Sequence, residues 1–186
     1  MTTSITKRGR PSSAQSLSRE HVINSALTLL QTGGMHAFSI RALARHLGIT
    51  PMSVLYHVTD LTTLQQLLVE RVHGAPLEIT DTATPQQRVI ALLHAYMQRV
   101  RTHPALTLCI FSSPDLFTHS LASFTQQLEH EIRQFDAEPI LLRDMLVDYT
   151  NGYALSVALS PADTHISEHH FHAALKRLLA TAHTPT

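Results

Sequence analysis

The chain has one cysteine, no tryptophan and only six glycines in 186 residues, and aromatic residues make up 5% of it. A lone thiol, Cys109, cannot close an intrachain disulfide. Without a paired-cysteine motif there is also no thiolate set for a structural zinc. No run of about 18 apolar residues occurs, which argues against a membrane span, and residues 1–18 lack the apolar stretch of a secretory signal. The expectation is a soluble cytoplasmic protein. Absent too are a glycine-rich phosphate loop, a Ser-His-Asp arrangement recognisable by spacing and a zinc-hydrolase signature, so neither an enzyme nor a resident cofactor or metal is expected.

What is present is aliphatic. Hydrophobic residues reach 44% with so few aromatics that the core must be built from Leu, Ala, Val and Ile, a palette that favours helices. Charges balance at 14 basic and 14 acidic, but unevenly along the chain. Residues 1–60 hold six basic residues (Lys7, Arg8, Arg10, Arg19, Arg41, Arg45) against Glu20 and Asp60, whereas the remainder holds eight basic against twelve acidic. Such asymmetry directs the first third toward a polyanion such as nucleic acid.

Residues 1–17, with Lys7-Arg8-Gly9-Arg10-Pro11, read as a disordered basic arm. Ser18 then caps a helix carrying Val22, Ile23, Ala26, Leu27, Leu29 and Leu30 at helical spacing, and Gly33-Gly34 is expected to end it. Ser39 opens a short helix that stops at Gly48. Thr50-Pro51, a cap followed by an N1 proline, starts a third through Tyr56. Asp60 opens a fourth with the stripe Leu61, Leu64, Leu67, Leu68 and Val72. Residues 75–83 read as a hinge. Beyond it, Thr84-Pro85-Gln86-Gln87 is a capping box, and further helices follow: one near 105–111, one capped by Ser113-Pro114-Asp115 with Phe117, Leu121, Phe124, Leu128 and Ile132, one from Pro139 to about Leu159, and one from Ser167 to near Ala182. No alternating strand pattern survives, so the fold reads as all-α.

A helix, a tight glycine turn and a second helix form the unit that enters the major groove of DNA, the inner face packing while the outer face reads. Ile40, Leu43, Ala44, Leu47, Ile49 and Val54 supply the inner wedge, leaving Arg41, Pro51, Met52, Ser53, Tyr56 and His57 outside. Arg41 suits guanine, Ser53 a base edge or phosphate, and Met52 or Pro51 thymine methyls. Tyr56, His57 and the backbone amides at Ser39 suit phosphates.

The stretch Ser18 to Arg71 resembles the DNA-binding domain of the tetracycline-repressor (TetR) family, above all in residues 22–27, Ser39-Ile40-Arg41-Ala42-Leu43-Ala44, Leu47-Gly48-Ile49 and His57-Val58 with Leu64. The resemblance implies a three-helix helix-turn-helix domain joined by a connecting helix (18–73) to a larger helical ligand-binding and dimerisation domain (84–183). It implies a regulator of the repressor type, released from a palindromic double-stranded operator by a small-molecule effector. Two positions depart from the family pattern: Tyr56 sits one place late, and Leu61 stands where a lysine is usual. Arg8-Gly9-Arg10-Pro11 looks like a core that enters A·T-rich minor grooves, which adds Lys7, Arg8 and Arg10 to the expected DNA contacts.

In such a domain Tyr96, Met97, Phe111, Phe124 and Tyr149, on the middle helices, are the expected effector contacts. A homodimer is expected through the last two long helices, using Leu142, Leu146, Tyr153 and Val157 on one and Phe171, Leu175, Leu178 and Leu179 on the other. Fourteen histidines, with His165, His169, His170 and His172 close together, leave a second reading open: a helical metal-binding protein or enzyme using the C-terminal half. A DNA-binding architectural protein or activator without an effector is a third.

Overall fold

In a computed structural model, residues 18–75, 84–160 and 167–182 are described, and among them there is helix and no strand. The first four helices are α1 (Arg19–Ala37), α2 (Ile40–Leu47), α3 (Pro51–Val58) and α4 (Leu61–His73). Each starts at a side-chain cap: Ser18, Ser39, Thr50 and Asp60 accept from the amides of His21, Ala42, Ser53 and Thr63. Each thereby satisfies a donor that the first helical turn cannot. The first boundary differs from expectation. Gly34 does leave helical geometry (φ 66°), but a further turn continues to Ala37 before the chain reaches Ser39. Phe38, 7% exposed, is thereby carried back into the core.

Five helices follow: α5 (Pro85–Thr102), α6 (Pro104–Ser112), α7 (His119–Ile132), α8 (Pro139–Leu159) and α9 (Glu168–Leu179). The capping box at Thr84 and Gln87 forms in both directions. Ser113 does not cap α7. Pro114–Leu116 form a 3-10 turn, Leu116 plugs the core at 1% exposure, and α7 begins only at His119, which leaves Phe117 outside it and exposed. Helical spacing counted backward from Leu121 includes Phe117, but the 3-10 turn buries Leu116 and leaves Phe117 at the surface.

Helices α1 to α3 pack on one another, with α1 and α3 also against α4, while α5, α7 and α8 form the second bundle with α9 laid against α8 and α5. The two halves share one continuous apolar core from Val22 to Leu179. α6 wedges against α1, and Gln31 donates to the Thr102 carbonyl at 3.2 Å across that junction. α4 reaches into both halves, touching α1, α3, α6 and α7.

The stripes expected to meet a second subunit are used within the chain. Leu142, Leu146, Tyr153, Phe171, Leu175 and Leu179 are buried, with Phe171 between the rings of Tyr149 and Tyr153, and Val157 and Leu178 are half-buried. The reason is that α9 packs its apolar face against α8 and α5 of its own chain. The outward residues of α8 are instead Ile140, Leu141, Met145 and Leu159, all more than 40% exposed. No helix among the described residues is long and apolar enough to cross a membrane.

Candidate functional site

At one end of the molecule, α2 and α3 meet through a three-residue turn. Gly48 adopts the left-handed conformation (φ 68°) that closes α2, and its amide and that of Ile49 return to the Arg45 and Ala44 carbonyls. This left-handed turn favours glycine because a Cβ would crowd the neighbouring carbonyl. Leu43, Ala44, Val54 and Val58 are buried and lock the pair together. Of the expected inner wedge, Ile40, Leu47 and Ile49 are only partly covered.

The outward face is apolar and polar by turns. Met52 is 73% exposed and Tyr56 87%, one helical turn apart, with Pro51 and Arg41 also open to solvent. Exposure of that degree is unusual for two large side chains whose neighbours are packed. Ser53 is half-buried, with its hydroxyl 2.9 Å from Thr50 Oγ1 in the cap; His57 is half-buried against the edge of Tyr56 at 5.3 Å between ring centres. The Ser39 hydroxyl is occupied by the Ala42 amide. Arg45 and His46 are exposed beside Arg41, an addition missed in the sequence because both fall on the polar side of an ordinary amphipathic helix. Leu61, standing where a cation is usual in the resembled family, packs against the core. Lys7, Arg8 and Arg10, and residues 76–83 of the hinge expected at 75–83, lie outside the described residues.

At the other end of α4 a cavity of about 250 Å³ opens between α4, α5 and α7. Of the five expected effector contacts, Phe124 alone lines it. Tyr96 stands behind Phe124, stacked on it at 4.6 Å, with its hydroxyl donating to Asn151 Oδ1 at 3.0 Å; burial pushes that phenol up to about 12. Met97 is wholly buried in the core, Phe111 is 60% exposed on α6, and Tyr149 stacks on Phe171 beside α9. Tyr96, Met97, Phe111 and Tyr149 do not line this cavity.

Polar groups that spacing alone does not reveal surround Phe124. Arg99 donates to the His73 carbonyl at 2.8 Å and the Ala75 carbonyl at 2.6 Å, at the end of α4. Glu70 accepts from the Ser120 amide at 3.1 Å, at the start of α7. Burial pushes the Glu70 carboxyl up, but hydrogen bonds from Thr118 and Ser120 outweigh it and hold it below its usual range. The last turn of α4 is therefore tied twice by charge to a helix end, a cation at its own C-terminus and its anion at the N-terminus of α7. Only the fold brings Glu70, His73 and Arg99 together.

Of the clustered histidines, His169 and His170 are exposed, His172 lies 5.6 Å from the His94 ring, and His165 is outside the described residues. Among the described residues no group of three His, Cys, Asp or Glu is placed to hold a metal ion.

The architecture is that of a helix-turn-helix head carried on a helical bundle. More narrowly, it is the fold of TetR-type regulators. The chain is similar to BioQ of Mycobacterium smegmatis (17% identity, TM-score 0.73, covering 89% of this chain and 97% of that one). It is similar to ActR of Streptomyces coelicolor (16%, 0.71, 91% and 96%) and to TetR of Acinetobacter baumannii AYE (16%, 0.68, 89% and 96%). By sequence alone nothing matches, neither a family profile nor a curated protein.

Proposed function

We propose that the protein is a DNA-binding transcriptional regulator, a repressor whose hold on a palindromic operator is released by a small molecule. The observation that carries this reading is the α3 face, where Met52 and Tyr56 project from a capped helix whose inner side is fully packed. A recognition helix needs that combination of rigid seat and open side chains. Arg41, Pro51, Met52 and Ser53 face bases, Tyr56, His57 and the Ser39 amide face phosphate, and Lys7, Arg8 and Arg10 add contacts from the arm. BioQ has been crystallised with its double-stranded operator, and ActR with (S)-DNPA and with actinorhodin; the shared fold extends both kinds of partner to this chain as a proposal.

Residues 18–73 form the reading unit and 84–183 the sensing and pairing unit, working without catalysis in the cytoplasm, where the operator lies. The paired state is a homodimer, with the outward stripe Ile140, Leu141, Met145 and Leu159 on α8 in place of the residues that the chain buries for itself. Selection of bound duplexes from random DNA, followed by fluorescence anisotropy, tests the reading. A two-fold symmetric sequence should emerge, with affinity that falls steeply with added salt. Absence of DNA binding even at low salt would refute it.

A further inference from the structure

The cavity between α4, α5 and α7 carries three features that together select a ligand. Arg99 uses two N–H groups on the carbonyls of His73 and Ala75, which leaves further donors on the same guanidinium. His73 is 94% buried, lines the cavity and lies with its ring against Tyr96. An imidazole at a cavity wall can both donate a hydrogen bond to a ligand and accept one from it. Phe124, backed by the stacked Tyr96, supplies a flat aromatic wall.

Charge decides between ligand classes. Glu70, the one carboxylate of the cavity, is already occupied by the Ser120 amide and the Thr118 hydroxyl, so it does not call for a cation. Burial, followed by the charges of Arg99 and His103, lowers His73 to about 4, so its imidazole is neutral near pH 7 and can donate from one nitrogen and accept at the other. Arg99 remains the charged group with donors to offer, and its planar fork matches a carboxylate. A volume near 250 Å³ is small beside pockets for drug-sized molecules and suits a single ring with its substituents.

Resting on the regulator reading, we propose that this cavity is the effector site and that its ligand is a small planar organic acid. Its ring lies on Phe124, its polar substituent meets His73, and its carboxylate takes Arg99. Because the Nη1 and Nη2 groups that clamp the last carbonyls of α4 are also the fork that a carboxylate engages with its remaining N–H bonds, drawing the guanidinium onto the acid weakens that clamp. Occupancy releases the end of the helix that carries α1 to α3, giving the ligand the unequal affinity for two states that a switch requires.

The test is calorimetric titration of the full chain, without DNA, with benzoate, salicylate and trans-cinnamate against benzamide, cinnamamide and benzamidine. At least one acid should bind, and about tenfold or more tighter than its amide. Arg99→Gln should weaken acid binding about ten- to a hundredfold, as loss of a charged hydrogen-bond partner does. Ser123→Phe, at the exposed rim, should block entry while leaving the melting temperature near that of the parent, so the question stays answerable if Arg99→Gln folds poorly. Hydrogen exchange at residues 70–75 should quicken on adding the acid. Binding by none of the acids, equal binding by the amides or benzamidine, or acid binding that Ser123→Phe leaves intact would overturn the proposal. Operator binding, measured separately on the ligand-free protein, judges the regulator reading: DNA binding without acid binding rejects the effector site alone.

Discussion

The imidazole of His73 lies at the last turn of α4, 6% exposed, against the Tyr96 ring, with Arg99 and His103 adding positive charge and Glu70 opposing them. In the unfolded chain this group takes a proton near its ordinary 6.5; in the folded protein it resists until about 4. Between those values the unfolded state holds a proton that the folded state refuses, so stability is complete above 6.5 and falls as pH drops through the window. The full difference is about 3 kcal/mol. Burial of His103 lowers its affinity for a proton as well and acts in the same direction. Denaturant melts at a series of pH values should show this decline, and His73→Gln should make the slope shallower; an unchanged slope would assign it to other groups. Tyr56 is the opposite kind of residue. At 87% exposure it contributes little to folding, so Tyr56→Ala should change stability by less than about 0.5 kcal/mol while weakening operator binding about tenfold, read by thermal melts beside anisotropy.

At the level of elements, the turn between α2 and α3 depends on two neighbouring choices. Gly48 supplies the left-handed C-cap and Thr50 the N-cap, with Pro51 fixed at the first helical position. Gly48→Ala should cost about 1 kcal/mol by forcing a Cβ into that conformation, and Thr50→Ala about 1 kcal/mol by stripping the Ser53 amide of its acceptor. Both should lower DNA affinity through disorder of α3, detectable as faster amide exchange there; exchange confined to other helices would place the defect elsewhere. Caps of this kind are local chemistry, which is why α1, α2, α3, α4, α5 and α9 begin where their sequence signals say. The start of α7 failed that rule. Ser113 and Pro114 carry a cap signature, but Leu116 gains more from burial beside α4 than the turn gains from continuing as α-helix.

For the whole molecule, the decisive element is α4, shared by the head and the bundle and held at its end by Arg99 and Glu70. Any ligand effect on DNA must pass through it or through the contact of α6 with α1. The pairing proposed above would use Leu141 and Met145, which stand exposed one turn apart on α8. Replacing both by Glu should leave the monomer fold intact, since neither is in the core, and should convert a dimer to a monomer in light scattering. Operator affinity should drop with it, because each half-site would then be bound alone. A double variant that remains dimeric would move the interface away from this stripe.

The amino-acid sequence by itself determined the helical class, most helix starts and the exposed character of Arg41, Met52 and Tyr56, because periodicity, caps and a left-handed glycine act over a few residues. It could not decide which apolar stripe faces inward on α8 and α9, since both faces carry Leu, and only packing against α5 and α7 chose Leu142 and Leu146 over Leu141 and Met145. Nor could it place Glu70, His73 and Arg99 around one cavity. Those residues sit on two helices joined through a long connection, and their meeting is a property of how α4 and α5 cross, which no spacing along the chain encodes.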